Sequence, residues 1–152
     1  MAPAVRIVTA VPAQARALDE LHRRSSFVWA EDRPLLEANP DALGVDRAAI
    51  SEQRVRVALG EADAIVGFAT VTRRDQGDCE LDDLFVDPPF MRRGVGRALV
   101  EDAAERARAD GSRVMSVVAH PRNFPFYESV GFAVEGPAET RFGPAFSMRR
   151  RL

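Results

Sequence analysis

Phe90 to Val100 reads FMRRGVGRALV, two glycines one residue apart placed directly behind two arginines. A run with helical apolar spacing begins there: Val95, Ala98, Leu99, Val100, Ala103, Ala104 and Ala107. That period predicts a helix to about Asp110, with Gly111 in the C′ position. Glycine in a helix costs about 1 kcal/mol against alanine, so two at a helix start call for a reason. A dinucleotide fingerprint needs a third glycine where Leu99 stands, and a P-loop needs a lysine that the chain lacks. Two readings remain level on this stretch alone. One is a tight turn carrying surface arginines. The other is a strand, a loop and a helix N-terminus whose free N–H groups hold an anion.

Upstream of the glycines the pattern has period two. RVRVAL (Arg54 to Leu59) alternates, AIVGFATVTR (Ala64 to Arg73) is rich in β-formers, and CELDDLFV (Cys79 to Val86) ends at Asp87-Pro88-Pro89. Short turns separate these runs, as in an antiparallel meander. Earlier, Val5 to Thr9 predicts a short strand and Ala13 to about Ala30 a helix, with a break near Ser25-Ser26. A second short helix is expected over Glu31 to Asn39, stopped before Pro40. Ala42 to Ser51 gives no clear signal. Downstream, SRVMSVVA (Ser112 to Ala119) has the nearly continuous apolar character of a strand buried on both faces. Phe124 to Val130 predicts a short helix ending at Gly131, and FAVE (Phe132 to Glu135) and FSMRRRL (Phe146 to Leu152) predict closing strands. No repeat or linker interrupts residues 1–152, so the expectation is one α/β (α+β) domain with a mixed, mostly antiparallel central sheet flanked by helices.

Bulk properties narrow the partners. The chain has 152 residues and a net charge of -2, so no global attraction to nucleic acid or membrane is expected. All 21 basic residues are arginine, and no side-chain amine is present to acylate itself. Cys79 is the one cysteine, which fits a reducing, cytoplasmic setting. Neither a signal-peptide core nor a run of roughly 20 apolar residues occurs. One cysteine and two distant histidines give no support to a metal site.

The wider context of the glycines decides between the level readings. LDDLFVDPPFMRRGVGRALVEDAAERA (Leu81 to Ala107) resembles motif A of the GNAT superfamily of N-acetyltransferases, in which a strand ends in V-x-P and a Q/R-x-x-G-x-G/A loop caps the next helix. FYESVGF (Phe126 to Phe132) resembles that family's later motif, where a tyrosine opens a short helix and G-F ends it. The spacing between them and the apolar strand in between match as well. Over Ile65 to Phe132 the resemblance is strong.

The resemblance implies a fold, a coenzyme and roles. Acetyl-CoA would place its diphosphate on Met91, Arg92, Arg93, Gly94, Val95, Gly96 and Arg97, although Met91 stands at the Q/R position and offers backbone alone. Backbone groups of Leu84, Phe85 and Val86 would bind the pantetheine arm and polarise the thioester. His120 stands where an asparagine often precedes the tyrosine, with Asn123 nearby as a substitute, so both are candidate coenzyme contacts. Tyr127, the chain's one tyrosine, falls where the family's tyrosine reaches the coenzyme sulfur. Its phenol would donate a proton or a hydrogen bond to the departing thiolate, whose ordinary pKa is about 8.5.

Glu80 lies eleven residues before Met91, matching a glutamate base of histone-type relatives, and Asp82 shares its face if the strand alternates. The alternative is a solvated strand edge. The first two helices and the final hairpin would wall the acceptor, making Phe27, Trp29, Arg33, Phe142 and Phe146 candidates beside Glu80. Cys79 is expected to be a buried small hydrophobe facing away from Glu80. His22, among polar neighbours, is read as a surface residue, and His120 as a helix cap, a coenzyme contact or a proton relay. The expected activity is acetyl transfer from acetyl-CoA directly to a primary amine of a small molecule. Alternatives are protein or peptide N-acetylation, and a non-catalytic acetyl-CoA-binding regulatory module. A homodimer through the C-terminal strands is common among relatives.

Overall fold

The computed structural model describes residues 5–152. Seven strands form one sheet in the order β1-β2-β3-β4-β5-β7-β6. They are β1 (Arg6–Thr9), β2 (Val55–Leu59), β3 (Ile65–Arg73), β4 (Asp78–Val86), β5 (Val114–Ala119), β6 (Ala133–Thr140) and β7 (Gly143–Arg151). The helices are α1 (Ala15–Ser26), α2 (Arg33–Ala38), α3 (Arg47–Ser51), α4 (Val95–Ala109) and α5 (Phe124–Ser129). Pairing is antiparallel between β1 and β2, β2 and β3, β5 and β7, and β6 and β7, whereas β4 and β5 run parallel. The expected mixed, mostly antiparallel sheet flanked by helices is what forms. The chain resolves into two compact units: one runs to Thr70 and takes in Asp83–Leu99, and the other comprises Val71–Asp82 and Val100–Leu152.

In the first unit α1 ends at Ser26, at the break read from the serine pair, and α3 occupies the stretch that gave no clear signal. Asp46 caps α3 by accepting the Ala48 N–H at 2.9 Å. The core gathers Leu18 and Leu21 of α1, Ala49 and Ile50 of α3, Val55, Val57 and Leu59 of β2, and Phe68 of β3, with Phe85 packed against it.

His22 belongs to that core and not to the surface, being only 6% exposed. Its polar neighbours in sequence misled the reading, because helical spacing puts it on the stripe of Leu18, Leu21 and Ser25, all buried. The imidazole Nδ1 accepts the Gly44 N–H at 2.9 Å, and the ring edge meets Phe85 at 4.2 Å between centroids. Asp19 accepts the Val45 N–H at 2.8 Å and pairs with Arg47 at 2.6 Å. One turn of α1 thereby anchors the approach to α3.

In the second unit, α4 ends with the Gly111 N–H on the Arg108 carbonyl and the Ser112 N–H on the Ala107 carbonyl, a Schellman arrangement around left-handed Gly111. β5 departs from expectation. Met115, Val117 and Ala119 are buried, but Val118 is 44% exposed and Val114 and Ser116 are half-buried. The strand is covered fully on one face only. β6 and β7 run longer than FAVE and FSMRRRL suggest, because β6 is an edge strand that tolerates Pro137.

Burial pushes the His22 pKa down to about 4, with the Asp19 carboxylate opposing. In the unfolded chain the ring titrates near 6.5, so between those values the unfolded state holds the extra proton and folding stability falls as pH falls. The expected loss across that window is about 3 kcal/mol. Denaturant melts of wild type and His22→Asn between pH 7 and 4 check it, the variant lacking this part of the slope.

Candidate active site

Asp87 is where β4 passes into the glycine loop. Its N–H donates to the Val66 carbonyl at 2.9 Å, and its carbonyl accepts the Phe90 N–H at 2.8 Å, closing a short turn over Pro88–Phe90. Arg92 then takes φ +63° and Gly94 φ +87°, the latter a conformation that glycine adopts without cost. Left-handed residues on either side of Arg93 give the kind of backbone that gathers N–H groups into an anion-binding concavity. The first intrahelical bond of this loop runs from Ala98 N–H to Gly94 carbonyl at 3.0 Å, so the amides of Val95 and Gly96 have no acceptor within the helix. Arg92, Arg93 and Arg97 are exposed, Met91 is half-buried, and Arg93 lies over the Phe90 ring at 5.8 Å. Backbone donors, a helix start and guanidiniums together suit a diphosphate. Leu84, Phe85 and Val86 precede this turn half-buried, and the β4–β5 ladder, confined to Asp78–Glu80 and Val114–Ser116, does not reach them.

In the second unit Glu80 and Asp82 share one face of β4, as alternation requires, while Cys79 and Leu81 are buried on the other. Burial raises the Glu80 pKa above the ordinary carboxylate range, and the neighbouring Asp82 carboxyl adds to that rise. Arg74 opposes it, donating from Nη2 to Glu80 Oε2 at 2.8 Å. Asp82 in turn accepts the Thr72 hydroxyl. Arg74 and Thr72 were not read from the sequence. The one available signal was their register across the β3–β4 hairpin.

Tyr127 is 9% exposed on α5, its ring edge-on to Phe126 at 5.1 Å and to Phe132 at 5.5 Å. His120 proves to be a cap: Nδ1 accepts the Arg122 N–H at 3.1 Å at the turn leading through Asn123 into α5. Cys79 is 1% exposed, and burial pushes its thiol up, which suits packing and not nucleophilic attack.

The acceptor-wall candidates fall into separate groups. Phe27 lies between the Arg23 and Arg33 guanidiniums, at 4.9 and 5.0 Å from its centroid, and Trp29 is 39% exposed. Phe146 of β7 meets Phe124 edge-on at 5.4 Å, and Phe142 at the hairpin tip is 40% exposed. Among the described residues no three His, Cys, Asp or Glu side chains gather as metal ligands. Among the described residues no helix is long and apolar enough to cross a membrane.

Burial alone pushes the Tyr127 phenol up to about 12 from an ordinary 10. Because it is the one tyrosine in the chain, phenolate absorbance reads it without interference. Titration of the native protein is expected to show a midpoint near 12, moving to about 10 once the chain is unfolded.

The acetyltransferase (GNAT) domain family matches residues 40–151. A peptidyl-lysine N-acetyltransferase of Escherichia coli K12 is 33% identical over 124 residues, spanning 82% of this chain and 74% of that protein. A glucosamine 6-phosphate N-acetyltransferase of Trypanosoma brucei brucei is 29% identical over 106 residues, spanning 61% of this chain and 72% of its own. Among solved structures, an N-acetyltransferase of Thermoplasma acidophilum in complex with coenzyme A superposes with a TM-score of 0.76 at 17% identity, covering 98% of this chain and 99% of that one. A match over residues 40–151 takes in both motifs that surround the glycines and the tyrosine, and the chain belongs to the GNAT acetyltransferases, enzymes whose acetyl donor is acetyl-CoA.

Proposed function

We propose that this acetyltransferase moves the acetyl group directly to a primary amine of a small molecule, with 1–152 working as one domain in the cytoplasm. The observation that carries the reading is the Glu80–Asp82 pair, two carboxyl groups on one strand face with Glu80 raised above its ordinary range by burial and by its neighbour. Such a pair attracts an ammonium and can take its proton, which acyl transfer requires because only the neutral amine attacks. Bound acetyl-CoA supplies the thioester carbonyl that the amine attacks, and the C–N bond forms as the C–S bond breaks. Glu80, in its ionised form, accepts the proton from the ammonium, and Asp82, Arg74 and Thr72 hold it in place. Backbone N–H groups of Leu84 to Val86 polarise the carbonyl. Tyr127 donates a hydrogen bond from its hydroxyl to the departing sulfur. The amides of Val95 and Gly96, with Arg92, Arg93 and Arg97, hold the diphosphate.

The two curated relatives divide over the acceptor, one named for an amino sugar phosphate and one for peptidyl lysine. Lysine acetylation is therefore the second reading, favoured by the longer and more identical match. The direct test is release of free coenzyme A thiol from acetyl-CoA, with glucosamine 6-phosphate and a lysine-containing peptide as probes within a wider amine panel. Saturable turnover of free amines, with the peptide inert, is the expected outcome; turnover of the peptide alone overturns the small-molecule reading. For Glu80→Gln, kcat/KM is expected to fall by roughly 10²–10³, with loss of the acid limb of the pH–rate profile. In wild type that limb lies above the ordinary carboxylate range, because Glu80 must be ionised to act and its pKa is raised.

A further inference from the structure

Arg24 lies in the last turns of α1, and its guanidinium forks onto Asp87: Nε donates to Oδ1 at 3.0 Å and Nη2 to Oδ2 at 3.1 Å. The Asp87 side chain is 14% exposed, the Arg24 side chain 49%. Asp87 is already fixed through its backbone, by the bond to the Val66 carbonyl and by the turn it closes with Phe90. The fork adds a third restraint at the residue from which the glycine loop departs. Two parallel bonds fix the carboxylate's plane as well as its position, which a lysine's single point charge cannot do.

Arg23, the preceding residue, stacks on Phe27, and Arg33 covers the same ring. One short segment of α1 therefore holds the coenzyme loop's root through Arg24 and the chain beyond α1 through Arg23.

We propose that Arg24 is a positioning residue for the coenzyme loop, and that its fork on Asp87 couples coenzyme binding to the order of Phe27 to Arg33. This rests on the proposed roles of the glycine loop in holding coenzyme and of Phe27 to Arg33 in bordering the acceptor. The loop's donors are backbone amides that cannot swing like side chains. Their affinity for an anion depends on where Asp87 and the left-handed turn at Arg92 and Gly94 place them. Linkage is reciprocal: if the forked arrangement favours coenzyme, bound coenzyme favours the forked arrangement and whatever α1 holds with it.

The test uses the full chain and acetyl-CoA. By calorimetry, Arg24→Gln is expected to bind acetyl-CoA about tenfold more weakly than wild type, and Arg24→Lys to recover only part of the loss. Asp87→Asn is expected to match Arg24→Gln, and the double variant to be no worse than either single one, since both remove one interaction. Should Arg24→Gln fail to fold, Asp87→Asn, which keeps the side chain's shape, carries the same comparison.

Hydrogen exchange then separates coupling from a merely structural role. In wild type, saturating acetyl-CoA is expected to slow exchange in residues 27–33 several-fold. At saturation in Arg24→Gln that increment is expected to vanish. Wild-type affinity in Arg24→Gln, additive losses in the double variant, or an unchanged exchange increment each overturn the proposal while leaving the coenzyme loop intact. Absence of saturable acetyl-CoA binding in wild type overturns the loop reading and this proposal together.

Discussion

A Cβ built on Gly67 would stand 3.0 Å from Leu99 Cδ1, 3.0 Å from the Phe85 carbonyl oxygen and 3.1 Å from Val95 Cγ1. A side chain there would force its neighbours to give by a few tenths of an ångström, and overpacking such a contact typically costs about 1–3 kcal/mol. The missing methyl lets the first turns of α4 settle directly on β3, with Val95 and Leu99 fully buried. The start of α4 is thereby set against the end of β4 by contact, and the turn from Asp87 to Gly94 has to bridge two fixed points. That constraint explains why the bridge uses a proline turn, a left-handed arginine and a left-handed glycine. It also fixes the position of the backbone amides proposed to hold the diphosphate.

The β4–β5 ladder follows from a different restriction. Three residues of each strand pair, Asp78–Glu80 with Val114–Ser116. On the paired stretch Glu80 sits opposite Ser116, so the carboxyl pair stands where the ladder ends.

The parts of this arrangement that were legible in the sequence are those written locally. The α4 period, the glycine pair and the proline turn lie within twenty residues, and Glu80 with Asp82 follows from alternation alone. Helix α3 was missed because five residues carry no usable period, and its one signal is the Asp46 cap. β6 and β7 extend beyond FAVE and FSMRRRL through Gly136, Pro137, Gly143 and Pro144. Pro137 is tolerated on an edge strand, and Pro144 lies outside the β5 ladder, which begins at Phe146. The His22 error was avoidable, since Leu18, Leu21, His22 and Ser25 trace one helical stripe. The fork from Arg24 to Asp87 joins residues 63 positions apart, and no pattern within the chain announces it.

The role proposed for Tyr127 can be narrowed by its energetics. Donating a full proton to a thiolate and donating a hydrogen bond to it are both within a phenol's chemistry. With the phenol pushed up to about 12 and an ordinary thiol near 8.5, full transfer would run uphill by about 5 kcal/mol. A hydrogen bond from the same hydroxyl has no such penalty, and bonds to charged groups contribute roughly 1.5–3 kcal/mol. Burial thus argues against complete proton loss from Tyr127 and for a donor that stays neutral throughout turnover. The group proposed to govern the acid side of the reaction is then Glu80, which burial raises above its ordinary range.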